Sequence, residues 1–238
     1  MSIRKLSAYV ITFNEENNIR RCLASLSFCD DVVVIDSFSA DNTVGIAREM
    51  GATVVKREWQ SYGEQKAFGL ENASNEWVLN IDADEEVTSE LRESILKVLN
   101  REDLDDDISG FEVCRINYFW NKFWDKGGWH PEFRLRLFRK GHSSWRKDLV
   151  HEKAQADGRV CRLEGNLLHY SYKNLSDQLT KFEKYARLSA QQSFRDGKTS
   201  SIPRIVLAPI SRFLKFFFLK KGFLEGRAGF IVGVAEGY

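Results

Sequence analysis

The segment 75–86 constrains the fold most, because a short apolar run in it stops abruptly in four acids broken by one alanine. Residues 77–81 are typical of a buried strand, and Asp82 and Asp84 follow it. Side chains two apart in an extended segment point the same way, so both carboxylates are expected to face one point. Hard oxygen ligands suit Mg²⁺ or Mn²⁺, whose open positions substrate phosphates commonly fill. Alternatively, the acids form a solvated turn that caps a helix over residues 89–99.

Strand and helix patterns alternate along the first part of the chain. The predicted strands cover residues 6–13, 31–35 and 52–55, and the predicted helices begin near Ile19 and cover residues 43–50. Continuous apolar strands belong to parallel sheets that helices cover on both faces. The expected fold class is therefore α/β, with an open sheet built from strand–helix–strand units.

Polar residues follow three of the predicted strands. They are Thr12 to Glu15 after the first, Asp36 after the second, and the Asp82–Asp84 pair. Ligands of open α/β sheets bind beyond the carboxyl ends of the strands, so these groups are expected at one edge. A Gly-x-Gly-x-x-Gly motif and a Walker loop are both missing, which disfavours dinucleotide binding and a P-loop ATPase. Locally, Asp36 has the alternative role of a helix cap and Thr12 that of a strand-end hydroxyl bonded to backbone.

Four motifs in the first hundred residues carry a resemblance to a known family. They are YVITFNEE at 9–16, VVIDS at 33–37, YGEQKAFGL at 62–70 and LNIDADE at 79–85. In this order and spacing they resemble inverting family 2 glycosyltransferases of the GT-A fold. Residues 150–152 and 221–230 are similar to the lipopolysaccharide core β-glucosyltransferases within that family. The resemblance implies an open mixed sheet of the nucleotide-diphospho-sugar transferase type, flanked by helices, with a helical C-terminal extension.

The resemblance also implies roles for single residues at the donor site. The nucleotide would be contacted by Thr12, Asn14 and Glu15, and its base or ribose by Asp36. Lys66 would approach the base or diphosphate, although a solvated surface lysine is the alternative. Asp82 would lie near the ribose and donor sugar, and Asp84 would bind the metal.

Sugar transfer from a nucleotide requires two further groups. Negative charge on the departing diphosphate has to be absorbed, which a divalent cation does electrostatically. A carboxylate across the sugar takes the proton of the attacking hydroxyl, and a single displacement inverts the anomeric carbon. Glu152 after the apolar residues 149–150 is the predicted base, with Asp148 as the alternative. His169, which ends another apolar run, is a candidate second metal ligand or a structural residue.

Arg134 and Arg136 alternate with leucines in a predicted strand, so their guanidinium groups share one face. Arginine suits phosphate or carboxylate recognition. We predict that Arg136 contacts the donor and Arg134 an anionic acceptor, with ordinary ion pairs as the alternative. Aromatic residues are dense over residues 118–129, and Trp129 is the predicted exposed ring of an acceptor platform.

The net charge of +1 gives no reason to expect a nucleic-acid partner. From Lys198 onward, however, the chain has seven basic residues but only two acidic ones, and large apolar residues lie between them. This pattern is typical of helices that lie on an anionic membrane surface. The alternatives are packing on the catalytic domain or a contact within a homo-oligomer.

Four scattered cysteines, and no signal peptide before Leu6, indicate a cytoplasmic protein. The basic, apolar C-terminal segment adds the expectation that the protein is peripheral on the inner face of the plasma membrane. The expected domains are a GT-A domain over 1–195 and a basic, apolar helical extension over 196–238. Within the first, 1–100 is the nucleotide-sugar half and 108–195 the acceptor half. The expected activity transfers a hexose, glucose from UDP-glucose, to an inner-core heptose of lipopolysaccharide or a similar glycolipid. Alternatives are another glycan or protein acceptor, a sugar nucleotidyltransferase, or a non-catalytic nucleotide-sugar-binding module.

Overall fold

The structure is a computed structural model that describes residues 4–119, 122–124, 129–145, 153–171 and 175–237. Its strands are β1 (Leu6–Thr12), β2 (Asp31–Asp36), β3 (Thr53–Lys56), β4 (Trp77–Asp82), β5 (Glu85–Val87), β6 (Ile108–Phe119), β7 (Lys122–Trp124), β8 (Glu132–Arg139), β9 (Ser143–Trp145), β10 (Ala154–Ala156) and β11 (Arg159–His169). Its α-helices are α1 (Ile19–Ser25), α2 (Thr43–Glu49), α3 (Tyr62–Asn72), α4 (Ser89–Leu99), α5 (Leu175–Arg195), α6 (Ile202–Leu214) and α7 (Gly226–Gly237). A π-helical turn, Lys215–Leu219, and a 3₁₀ turn, Gly222–Glu225, join the last two helices.

The main sheet is mixed and, within the described residues, runs in the order β3-β2-β1-β4-β8-β6-β11-β5, with β7 paired to β6. Strands β1 to β4 are parallel, whereas β8 lies antiparallel to β4. The register pairs Thr12 with Asp36 and Ile11 with Asp82. The prediction that these strand ends open on one edge is therefore confirmed.

Helices cover both faces of the parallel strands, as their apolar composition predicts. Alternate residues of β1 separate onto the two faces, so that Leu6, Ala8 and Val10 belong to one buried cluster and Tyr9 to another. Helix α3 approaches the Tyr9 ring so closely that a Cβ on Gly69 would lie 2.3 Å from it. This close contact fixes the position of α3, which carries Lys66 to the edge of the sheet.

The chain divides into two compact units. The first comprises Met1–Arg115 and Phe133–His169, and the second Ile116–Glu132 and Tyr170–Tyr238. Helix α5, which we assigned to the glycosyltransferase domain, is thus grouped with the C-terminal helices. Whether the predicted donor and acceptor halves are functional divisions stays a prediction.

The second unit has a small aromatic core, in which Phe119, Trp124, Phe216 and Val232 are buried. On α6, α7 and the two turns between them, by contrast, large apolar side chains lie on the surface. We call these the C-terminal apolar set, and each is between 46% and 79% exposed: Ile202, Ile205, Val206, Leu207, Ile210, Leu214, Phe218, Leu219, Phe223, Leu224, Phe230 and Val234. None of the helices in the described part of the chain combines the length and apolarity needed to cross a bilayer.

Candidate active site

The loop after β1 is tied to the loop after β2 by hydrogen bonds. Asn14 adopts a left-handed conformation with φ of 56°, and its side-chain oxygen accepts from the Ala40 amide at 2.8 Å. The Glu15 amide donates to Thr43 Oγ1 at 2.8 Å. Thr12 is buried, and its hydroxyl has no hydrogen-bond partner in the structure, so the backbone bond considered for it is not formed. The first strand end thus presents a fixed loop with a buried polar atom whose hydrogen bonding is unsatisfied.

Asp36 is fully buried at the end of β2. Its carboxylate accepts from the Ser39 amide at 3.1 Å and from Ser39 Oγ at 2.5 Å. The alternative role of capping the following helix is wrong, because α2 begins four residues beyond this turn. Asp36 instead shapes the loop in which Ser37 accepts a hydrogen bond from Gln65 at 2.8 Å.

Lys66 is a buried residue of α3, not the solvated surface lysine of the alternative interpretation. Its side chain is 5% exposed, and Nζ lies 3.1 Å from Asp82 Oδ1. The ammonium also lies 5.1 Å from the centre of the Trp145 ring, whose indole N–H donates to the Tyr9 hydroxyl at 2.7 Å. Lys66 is therefore held at the edge of the sheet with its charge directed at the acidic turn.

Arg136 reaches the same turn from β8, the strand beside β4. Its Nη2 donates to Asp82 Oδ2 at 2.9 Å and to Glu85 Oε1 at 2.5 Å, and Nη1 donates to Asn80 Oδ1 at 2.6 Å. The ion pairs that we weighed as an alternative for Arg136 are thus present. Arg134, two residues away in the same strand, is exposed.

The two cations control the charge of Asp82. Burial by itself raises the pKa of this carboxyl, but the charges of Arg136 and Lys66 outweigh burial and hold the pKa well below its ordinary value of 3.8. Asp82 is consequently an anion throughout the physiological pH range, and 22% of its side chain remains exposed.

The alternative of a solvated helix-capping turn is wrong, because Thr88 caps α4 by accepting from the Leu91 amide at 3.2 Å.

Asp84 and His169 form the second polar pair of the edge. Strand β11 runs antiparallel to β5 and places His169 opposite Glu85. His169 Nε2 lies 3.4 Å from Asp84 Oδ2, and both side chains are less than one-fifth exposed. The structure therefore brings together the two residues that we predicted as metal ligands.

A divalent cation fits this pair only with help from other ligands. Among the described residues, no three His, Cys, Asp or Glu side chains are close enough together to hold a cation. One carboxylate with several positions left for water or phosphate oxygens is the usual coordination of Mg²⁺, whereas the imidazole nitrogen suits a transition metal such as Mn²⁺ better. The donor set agrees with a metal that binds together with a diphosphate.

A family model described as Glycosyl transferase family 2 matches residues 7–155, which contain the elements that carry Thr12, Asp36, Lys66, Asp82 and Arg136 but not β11, which carries His169. The chain belongs to this family. It is a family 2 glycosyltransferase, and its mixed sheet with flanking helices is the GT-A-like fold predicted from the motifs.

Relatives of this glycosyltransferase align over nearly its whole length. The lipopolysaccharide core biosynthesis glycosyltransferase LpsC of Rhizobium meliloti is 33% identical, covering 95% of this chain and 85% of the relative. An uncharacterised glycosyltransferase of Rickettsia prowazekii is 30% identical, with coverages of 96% and 82%. The enzyme is thus related to glycosyltransferases of lipopolysaccharide core biosynthesis.

The structure of glucosyl-3-phosphoglycerate synthase from Mycobacterium tuberculosis, with Mn²⁺, UDP and glucosyl-3-phosphoglycerate, matches at 25% identity with a TM-score of 0.41. The match covers 48% of this glycosyltransferase and 44% of the other chain. The glycosyltransferase therefore spans less than half of that protein.

Three other predicted site residues of the glycosyltransferase either fall outside the described residues or belong to the second unit. Glu152 and Asp148, the candidates for the base, fall outside the described residues. Trp129 belongs to the second unit and is half-buried, with its ring centre 5.1 Å from that of Trp124 and 6.2 Å from that of Phe216. The expectation that Trp129 is an exposed ring is wrong, because these rings pack against it.

Two residues of the network were not predicted. Asn80 is fully buried, and its Nδ2 has no hydrogen-bond partner in the structure. Glu85 is also fully buried. The Asn80-x-Asp82 spacing was a signal that both side chains share one face of β4. Arg136, one partner of Glu85, lies 51 residues away in β8, and no local pattern reveals this contact.

Proposed function

We propose that the enzyme is an inverting, metal-dependent hexosyltransferase that moves glucose from UDP-glucose to an inner-core heptose of lipopolysaccharide or a similar glycolipid. The observation that carries the proposal is the charge arrangement at the edge of the sheet, where Asp82 lies between Lys66 and Arg136 while Asp84 lies beside His169. The relation to a lipopolysaccharide core glycosyltransferase supports the choice of acceptor class.

The chain's own residues bind and orient the donor. Asn14 and Glu15 contact the nucleotide from the fixed loop after β1. Thr12, whose buried hydroxyl has no hydrogen-bond partner in the structure, contacts it from the end of the same strand. Asp36 recognises the base or ribose from the next strand end. Lys66 attracts the diphosphate through its positive charge, since a buried ammonium acts more strongly on an anion than an exposed one.

Asp82 orients the ribose and the donor sugar. Its carboxylate is ionised and partly exposed, so it accepts hydrogen bonds from sugar hydroxyls. Asp84 and His169 hold Mg²⁺ or Mn²⁺, which, when bound, supplies positive charge to the leaving diphosphate.

Glu152 takes the proton from the acceptor hydroxyl as that oxygen attacks the anomeric carbon. Attack from the side opposite the diphosphate forms one bond while the other breaks, so the configuration inverts. Asp148 is the alternative base. On the acceptor side, Arg134 pairs with an anionic group, and Trp129 contributes one face of a half-buried ring.

The C-terminal apolar set suits a lipid-linked acceptor. Large exposed apolar side chains on α6 and α7 are accompanied by exposed basic residues, namely Arg212, Lys215, Lys220, Lys221 and Arg227. Apolar groups that enter the headgroup region, with basic groups beside them, bind anionic bilayers. We therefore propose peripheral attachment to the cytoplasmic face of the membrane.

A donor screen tests the activity. Purified enzyme is given UDP-glucose and other nucleotide sugars with Mg²⁺ or Mn²⁺, with and without a heptose-containing core glycolipid, and the product's anomeric configuration is read by NMR. We expect transfer from UDP-glucose with inversion, and its loss in Glu152→Gln but not in Asp148→Asn. An enzyme that neither transfers nor hydrolyses any donor would contradict the proposal. Transfer only to another glycan or to protein would change the acceptor class alone.

A further inference from the structure

Glu85 has a buried carboxylate, and the proposed donor site described above assigns no role to it. It is 0% exposed at the start of β5, three residues after Asp82. Its Oε2 accepts a hydrogen bond from the Asp82 backbone amide at 2.9 Å. This bond closes the turn from β4 to β5 and fixes the backbone on which the Asp82 carboxylate stands.

A second connection runs from Glu85 to Asp82 through Arg136. Nη2 of Arg136 donates to Glu85 Oε1 and to Asp82 Oδ2, while Nη1 holds Asn80. The planar guanidinium presents its donors in a fixed fork, so orienting one contact orients the others. Glu85 therefore sets the direction in which Arg136 meets Asp82.

Charge favours the same conclusion. Arg136 is a buried cation, which is costly unless anions are close to it, and the side chain of Asp82, its first anionic partner, is 22% exposed. Glu85, whose side chain is fully buried, provides the second anion, and Arg115 Nη1 lies 3.5 Å from its Oε1. Asp82 is thus fixed through its backbone by Glu85, through Oδ2 by Arg136, and beside Oδ1 by Lys66.

We propose that Glu85 and Arg136 are positioning residues, which fix the Asp82 carboxylate so that its exposed part meets the donor, without touching the donor themselves. The inference rests on the proposed function, because it concerns the same site. It assigns to Arg136 an indirect role in place of the direct donor contact predicted from sequence.

The test compares Glu85→Gln with Glu86→Gln. A glutamine at 85 has one oxygen and one amide nitrogen, so it cannot accept from both the Asp82 amide and Arg136. Glu86 is the adjacent acid in β5, and its ion pair goes to Arg21 at 3.5 Å, on a partly exposed side chain. We expect kcat/KM for the donor to fall about 10- to 100-fold in Glu85→Gln, since misplacement by about 1 Å has effects of this size. In Glu86→Gln it should stay within about twofold of the wild type.

Crystal structures of both unliganded variants provide a readout that does not depend on activity. We expect the Asp82 carboxylate to move by about 1 Å or more in Glu85→Gln and to keep its place in Glu86→Gln. If Glu85→Gln does not fold, Glu85→Asp replaces it, because the shortened side chain keeps the charge but cannot span both contacts. An unmoved Asp82, or a kcat/KM equal to that of the control, would overturn the inference. If the wild type transfers no sugar, the proposed function fails, and the position of Asp82 alone decides whether Glu85 positions it.

Discussion

The two units place charged and apolar side chains in opposite ways. In the first, Lys66, Asp82, Glu85 and Arg136 put charge inside the protein at the edge of the sheet. In the second, the C-terminal apolar set puts large apolar side chains outside. Both arrangements cost free energy in the isolated chain, since buried charge loses hydration and exposed apolar surface orders water. Under the proposed function, each departure from the usual pattern has a ligand that offsets its cost, a sugar nucleotide at the edge of the sheet and lipid at the C-terminal apolar set.

The largest expected effect concerns the buried charge. Arg136→Met should lower the free energy of unfolding by about 3–5 kcal/mol, because Asp82 and Glu85 would be left buried without their shared cation. Urea unfolding measures the change. Arg134→Met is the matched control, since Arg134 lies two residues away in β8 but is exposed, and it should cost less than about 1 kcal/mol. If both variants lost the same free energy of unfolding, the buried charge of Arg136 would contribute no more to stability than the exposed charge of Arg134.

The next effect separates catalysis from stability at the same edge. Asp84→Asn should lower kcat about 10²- to 10³-fold, because the leaving diphosphate would lose its main electrostatic support. The melting temperature should change little, since asparagine has nearly the same size as aspartate and keeps a side-chain oxygen beside His169. Steady-state kinetics over a range of Mn²⁺ concentrations provide the measurement. A variant that keeps full activity and the same metal requirement would exclude Asp84 as a ligand.

In the second unit, a substitution should affect binding but not folding. Ile210→Ser removes an apolar side chain that is 53% exposed on α6, so the free energy of unfolding should change by no more than about 0.5 kcal/mol. Flotation with anionic vesicles should show binding that is at least about tenfold weaker, because one buried apolar side chain contributes about 1.5–3 kcal/mol and about 1.4 kcal/mol corresponds to a factor of ten. Phe194→Ser on α5, 84% exposed but outside the C-terminal apolar set, is the control. Equal vesicle binding by all three proteins would exclude α6 as the lipid-contacting element.

The smallest effect is a pH dependence. The pKa of Asp82 is lower in the folded protein than its ordinary value of 3.8, so its stabilising contribution is complete above that value. The contribution is lost as the pH falls toward the folded-state pKa, because the unfolded chain then binds a proton that the folded protein does not. Between roughly pH 5 and pH 3, the free energy of unfolding should fall less steeply in Asp82→Asn than in the wild type. Parallel curves would show that Asp82 is not held as an anion by its neighbours.

Sequence patterns predicted the first unit well because its signals are local. Apolar runs ending in polar residues located β1, β2 and β4, and the predicted helix over residues 89–99 has the bounds of α4. Topology then brought Thr12, Asp36 and Asp82 to one edge, since neighbouring parallel strands end together. The structure also brings His169, predicted because it ends an apolar run, to 3.4 Å from Asp84, while their roles as metal ligands stay predictions.

Contacts between distant segments were the part that sequence patterns did not reveal. Glu85 is one of several acids close together in the sequence, and its burial beside Arg136, 51 residues later, depends on contacts that no local pattern predicts. The prediction that Trp129 is exposed was wrong, because a dense run of aromatic residues does not indicate which of its rings is buried. Its packing depends on Phe216, which is far along the chain in the π-helical turn.

The most direct test of the account is a crystal of the wild-type enzyme soaked with UDP and Mn²⁺, with anomalous diffraction recorded to locate the metal. We predict a manganese peak bonded to Asp84, diphosphate oxygens on the same ion, and the nucleotide lying along the ends of β1, β2 and β4. A nucleotide bound elsewhere on the protein, or a metal peak away from Asp84, would contradict the assignment of this edge as the donor site.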